Sequence, residues 1–145
     1  MPIYSLARRT TNVTDANPCL EIITPAAYKA KIMEIGLFLA AATASTFGLG
    51  RPAAIGVTPT SPVIVLPEDP ASPVGHVTTA LAWATPPTVP ANFFRRISLP
   101  ATVGTGVIWT FPRGLIIPIS FSVVIWNLAT NGVIDCYVVL DEILV

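Results

Sequence analysis

Fifteen prolines and nine glycines cut the apolar residues of this 145-residue chain into short runs. Runs of that length make strands rather than helices. Yet the chain is 52% hydrophobic, with a mean hydropathy of +0.69, and several of its runs are apolar on both faces. A lone domain of this size has limited means of hiding so much apolar surface. The surplus is expected to be buried between subunits, and the natural count at this length is one domain.

The membrane is a poor alternative. The two longest apolar stretches are residues 35–42 and 115–128. The first runs into Thr43, Ser45 and Thr46, and the second contains Pro118, Ser120, Ser122 and Asn127. Both fall short of the ~20 apolar residues that a spanning helix needs. The opening MPIYSLARRTTN has no long apolar core of the secretory kind. The expectation is a soluble protein made in a cytoplasm, with no membrane partner. Lys+Arg and Asp+Glu are each 8, so no basic footprint for nucleic acid stands out. Charged residues make up only 11% of the chain, and a nearly uncharged surface favours association.

Along the chain, residues 1–18 read as an extended arm, polar around residues 8–12 and closed by an Asn17-Pro18 turn. Residues 19–145 read as one all-β domain. Strands are expected at 20–23, 30–40, 63–66, 76–84, 93–99, 106–111, 115–117, 121–128 and 133–140. Residues 46–61 form a long structured loop, because Phe47, Leu49, Ile55 and Val57 still need cover. In the strand at 30–40, Lys29, Lys31, Met33, Ile35, Leu37 and Leu39 fall on one face. Pro112-Arg113-Gly114 reads as a turn. Asn131-Gly132 carries the strongest short hairpin signal, pairing the last two strands. Eight or nine strands at this spacing, with long early connections, fit an antiparallel jelly-roll β-sandwich.

Chemistry looks sparsely supplied. His76 is the only histidine, which leaves no usual zinc pattern and reads as a surface residue. Glu68-Asp69 and Asp141-Glu142 are adjacent pairs on extended chain, so their side chains diverge and read as solubilising charges. No glycine cluster has phosphate-loop form. No cofactor or metal is expected, and the chain does not read as an enzyme. Cys19 and Cys136 are too few for a disulfide framework and are expected as buried, reduced thiols near one another in one sheet. Trp109, Phe111, Trp126 and Tyr137 lie in strands whose second face needs cover. They are candidates for a subunit seam, together with Arg95 and Arg96. Within the arm, Ile3, Tyr4, Leu6, Arg8 and Arg9 are candidates for docking onto a partner.

Three segments carry a resemblance: FGLGRPAAIGVTPTSPV, ALAWATPPTVPANFFRRISLPATVGTGVIWTFPRGL and IPISFSVVIWNLATNGVIDCYVVLDE. From about Ala30 onward the chain resembles small virion proteins of tailed bacteriophages. Those proteins have a jelly-roll fold like that of tumour necrosis factor and usually form trimers. The resemblance implies a homotrimeric structural protein of the virion, made in the host bacterial cytoplasm. It brings no catalytic motif. The leading expectation is a capsid decoration or cement protein whose partner is the major capsid protein or another virion protein. The alternative is a tail-fibre or head-fibre knob that binds a host glycan or receptor. A cupin-like enzyme is disfavoured by the missing metal ligands.

Overall fold

The computed structural model describes residues 2–10, 17–129 and 132–145. Thirteen strands account for the regular structure, with no helix among the described residues. A five-stranded sheet has the order β11 (Gly106–Ile117), β3 (Tyr28–Leu39), β13 (Ile134–Leu144), β1 (Ile3–Arg9) and β7 (Leu66–Pro67). A six-stranded sheet has the order β10 (Phe93–Leu99), β4 (Ser45–Gly50), β12 (Ser122–Asn127), β2 (Pro18–Ile23), β8 (Thr78–Ala80) and β6 (Val63–Ile64). A ribbon of β5 (Val57–Thr60) and β9 (Ala82–Thr85) stands apart from both. Every pairing is antiparallel.

The two large sheets enclose one core. Tyr4, Ile32, Ile35, Leu37, Val138 and Leu140 enter it from the first sheet, and Leu20, Ile22, Phe47, Leu49, Val123 and Ile125 from the second. Strand β3 shows how the sequence secures this. Strict alternation would put Lys29 and Lys31 on the face of Ile35, Leu37 and Leu39. Instead a register shift opposite Val139 and Leu140 leaves Met33 unpaired. Ala30 and Ile32 thereby join Ile35, Leu37 and Leu39 in the core, and the lysines stay outside. An inserted residue of this kind swaps the faces of everything beyond it.

The residue 1–18 arm is not free. Ile3–Arg9 is an interior strand paired along its length with β13, from Ile3 opposite Asp141 to Arg9 opposite Asp135. Its alternation is hidden in the sequence by Arg8, whose aliphatic stem runs inward while its guanidinium donates to the Thr79 carbonyl of the other sheet at 3.0 Å. Residues 11–16 of the expected arm lie outside the described residues. The Asn-Gly hairpin does not form as expected either. Strands β12 and β13 belong to different sheets, so their connection crosses the sandwich edge; Thr130 and Asn131 lie outside the described residues. The turn at 112–114 is a large bulge within one strand, where Thr110 pairs with Glu34 and Leu115 with Ile32. The strand expected at 76–84 breaks at Leu81, with β8 in the large sheet and β9 in the ribbon.

The outer face of the six-stranded sheet is covered by the chain itself over its central strands. All of β12 is buried. Gly48 lies under the Phe93 ring, Gly50 under Pro90, and Gly56 against Trp83 and Glu21, each too close for a Cβ. The 51–92 segment therefore hides surface that the composition alone assigns to a neighbouring subunit. No helix among the described residues is long and apolar enough to cross a membrane.

Candidate assembly face and basic edge

The outer face of the five-stranded sheet has no such cover. Directly paired residues share a face, so register lays it out in rows. One row holds Ile108, Gly36, Tyr137 and Ala7; the next holds Thr110, Glu34, Val139, Ser5 and Leu66; a third holds Ile116, Lys31, Asp141 and Ile3. Leu66 is 61% exposed, Ile108 51%, Ile3 47% and Ile116 38%. Covering the exposed remainder of each is worth about 1 kcal/mol.

Two groups of charge on this face are already satisfied within it. Arg9 grips Asp135 with two parallel bonds of 2.7 and 2.8 Å. The Arg9 bond holds the Asp135 carboxyl below its usual range. Tyr137 donates its hydroxyl to Glu34 at 2.5 Å, and chiefly that bond pushes its phenol up to about 12. The Tyr137 ring lies flat on the sheet because Gly36 sits beneath it; a Cβ there would come within 2.1 Å of the ring. Glycine at this position is what permits the close approach. Asp141, in the third row, is buried with neither carboxylate oxygen hydrogen-bonded.

The side of the sandwich where β10 and β11 end the two sheets is different in character. Exposed Arg51, Arg95, Arg96 and Arg113 gather there. Arg51 stands 5.0 Å from the Phe94 ring centre and donates to the Ile116 carbonyl at 2.6 Å, linking the two sheets. Arg95 stands 5.1 Å from the Phe111 ring, and Arg96 5.9 Å from that of Phe93. Arg95, Phe111, Pro112, Arg113 and Gly114 line one shallow hollow. None of the four arginines forms an ion pair among the described residues.

These positions sort the residues singled out from the sequence. Trp109, Phe111 and Trp126 are buried within the single chain, the first two in the core and the third on the covered outer face of β12. They do not offer a seam, because each is already buried within the single chain. Tyr137 does lie on the uncovered face, half-buried. Arg95 and Arg96 sit on the basic edge. Of the expected docking residues, Tyr4 is core, Leu6 packs against it and Arg8 bridges the sheets. Ile3 and Arg9 point outward on the apolar face. Arg51, Arg113, Ile108, Ile116 and Leu66 were not singled out. Arg113 sits in the bulge of β11 and Arg51 in a loop, and only strand register brings them to one edge.

Two polar clusters lie inside. Glu142 is not a solubilising charge: its side chain is 3% exposed. Its Oε1 accepts from the backbone N–H groups of His76 and Val77 at 2.6 and 2.7 Å, and its Oε2 lies 3.0 Å from His76 Nδ1. The His76 ring stacks on Tyr28 at 3.9 Å. Beneath the covering segment, fully buried Glu21 accepts from Ser122 Oγ at 2.6 Å and from the Gly56 N–H at 3.0 Å. Both carboxylates fasten loops to sheets, and that is the work their hydrogen bonds perform. Among the described residues no group of three or more His, Cys, Asp and Glu side chains is placed to hold a metal. Cys19 and Cys136 are free and buried. They face one another from opposite sheets rather than sharing one, and burial pushes each thiol up to about 12. No protein-family model, curated protein or solved structure matches this chain.

Proposed function

We propose that this chain is a non-catalytic structural protein of a tailed-bacteriophage virion. In this reading it is a jelly roll that assembles as a homotrimer and decorates the capsid shell. The observation that carries the reading is the outer face of the five-stranded sheet. There Ile3, Leu66, Ile108 and Ile116 are exposed around Tyr137, while the central strands of the other large sheet are buried beneath the chain's own residues. A face of this kind is what an obligate oligomer buries.

The strand order supports the jelly-roll part. Leaving out the short strands β5 to β9, the eight that remain pair first with eighth, third with eighth and third with sixth in one sheet. In the other sheet second pairs with seventh, fourth with seventh and fourth with fifth. That nesting is consistent with the winding of a double Greek key. The clusters around Glu142 and Glu21 serve the fold, which agrees with a scaffold role.

Sedimentation equilibrium at micromolar protomer concentration tests the assembly. The expected mass is three times 15.3 kDa, and Ile108→Asp, which puts a charge among the exposed apolar residues of the face, is expected to yield folded monomer. A wild-type monomer would refute the reading. Gold-labelled antibody on phage particles then places the protein on the shell or elsewhere.

A further inference from the structure

Four of the eight Lys and Arg residues of this uncharged chain, Arg51, Arg95, Arg96 and Arg113, collect on one side of the sandwich. Glu68 and Asp69, both exposed, follow β7 at the opposite edge of the five-stranded sheet. The molecule is neutral in sum but polarised across its sheets. The basic side also carries an open strand edge. β10 ends its sheet, so among the described residues the backbone groups along its far side have no strand partner. An open edge is a template for another strand. Here its side chains select what can add: Arg95 shares the inward face with Leu49, and Arg96 the outward face with Gly48. A second copy of the same edge would bring arginine against arginine, so pairing of β10 with β10 is disfavoured.

We propose that the β10 edge is a docking site for an acidic, extended polypeptide segment. The segment adds to β10 as a strand. It sets its carboxylates against Arg95, Arg51 and Arg113 on the side facing β11. Main-chain bonds supply affinity in such strand addition, and alternating side chains supply selectivity. Arginine's planar fork suits carboxylate pairing. Nucleic acid fits less well. Phe93, Phe94 and Phe111 each have a guanidinium over the ring, so a base stacking there has to compete with an arginine for the ring face. The site does not depend on the virion reading or on the oligomeric state. It does relocate partner docking from the chain's first residues, which are built into a sheet, to the far edge.

The probe is a fluorescein-labelled peptide of about ten residues, alternating Glu and Val, followed by fluorescence anisotropy on the full-length protein. Saturable binding is expected that weakens as salt rises from about 50 to about 500 mM, which shortens the screening length. Arg95→Ala with Arg113→Ala is expected to weaken binding about tenfold, the scale of two exposed charge pairs. Arg9→Ala, away from the edge, is expected to leave it unchanged. If the double variant loses its strand circular dichroism, Arg113→Glu alone, in the exposed bulge, carries the same expectation. The deciding control N-methylates alternate residues of the peptide in each of its two phases. Strand addition requires one phase to abolish binding and the other to spare it. Equal binding by both phases, stronger binding by an oligothymidylate of the same length, or no saturable binding of the peptide would each overturn the proposal. None of these readings depends on whether the protein sediments as a trimer.

Discussion

Replacing Glu142 with Ala is expected to be among the more costly single substitutions in this chain, although nothing in the sequence marks it. Its carboxylate ties the end of β13 in one sheet to the loop that precedes β8 in the other. The side chain is 3% exposed and takes the N–H groups of His76 and Val77 on one oxygen and the His76 ring on the other. Val77 is fully buried and its carbonyl accepts from Val65 N, so the local backbone has little freedom to turn its N–H toward water. Alanine would orphan two backbone donors at about 1–3 kcal/mol each and remove a charge-assisted bond as well. The expected loss is about 3–5 kcal/mol, a large part of the stability of a domain this size. Glu142→Gln keeps an oxygen for the two N–H groups and is expected to cost about 1 kcal/mol. His76→Ala removes a ring whose side chain is 36% exposed and is expected to cost about the same. Urea unfolding followed by tryptophan fluorescence, at one fixed protomer concentration because self-association shifts apparent stability, ranks the three. A loss below about 1 kcal/mol for Glu142→Ala would refute the reasoning. So would equal losses for Glu142→Ala and His76→Ala, since the ring rather than the two N–H groups would then carry the latch.

Two further outcomes follow from the displaced titrations. Cys19 and Cys136, with thiols pushed up to about 12 by burial, are expected to resist iodoacetamide at pH 8 in the native protein and to react fully once it is unfolded in guanidinium; fast native labelling of either would show that the core opens there. Asp135 is held below its usual range by Arg9, so its contribution is present above the unfolded carboxylate value and is lost as pH falls through the lower folded one; Arg9→Gln is expected to flatten that acid limb, read as the melting midpoint against pH, and an unchanged limb would assign the acid sensitivity to another carboxylate.

Much of the strand content was legible from residues alone, and the reason is local. Period-two patterning placed β3, β10 and β12 to within about two residues, because side chains alternate along any extended chain. Proline and glycine set where runs had to stop. What alternation does not carry is partnership. The sequence predicts a hairpin at Asn131-Gly132, but the flanking strands join different sheets, since each finds its better neighbours far away in sequence. The first strand reads as an arm because Arg8 interrupts its inward face, and only the proximity of the Thr79 carbonyl makes an arginine acceptable there. Trp126 reads as a seam residue because its strand is apolar on both faces, yet the whole strand is already buried within the single chain.

The same division runs through the candidate sites. Composition determined that this neutral, apolar, proline-punctuated chain would fold into short strands. Which face stays bare was decided only when register aligned Ile108, Tyr137, Leu66 and Ile3 on one sheet surface. The basic edge is likewise a product of tertiary structure. Arg51, Arg95 and Arg113 are scattered along the sequence and meet because β10 and β11 end their sheets on the same side. Local sequence fixes what each residue can do on extended backbone, and long-range strand pairing fixes what it stands beside.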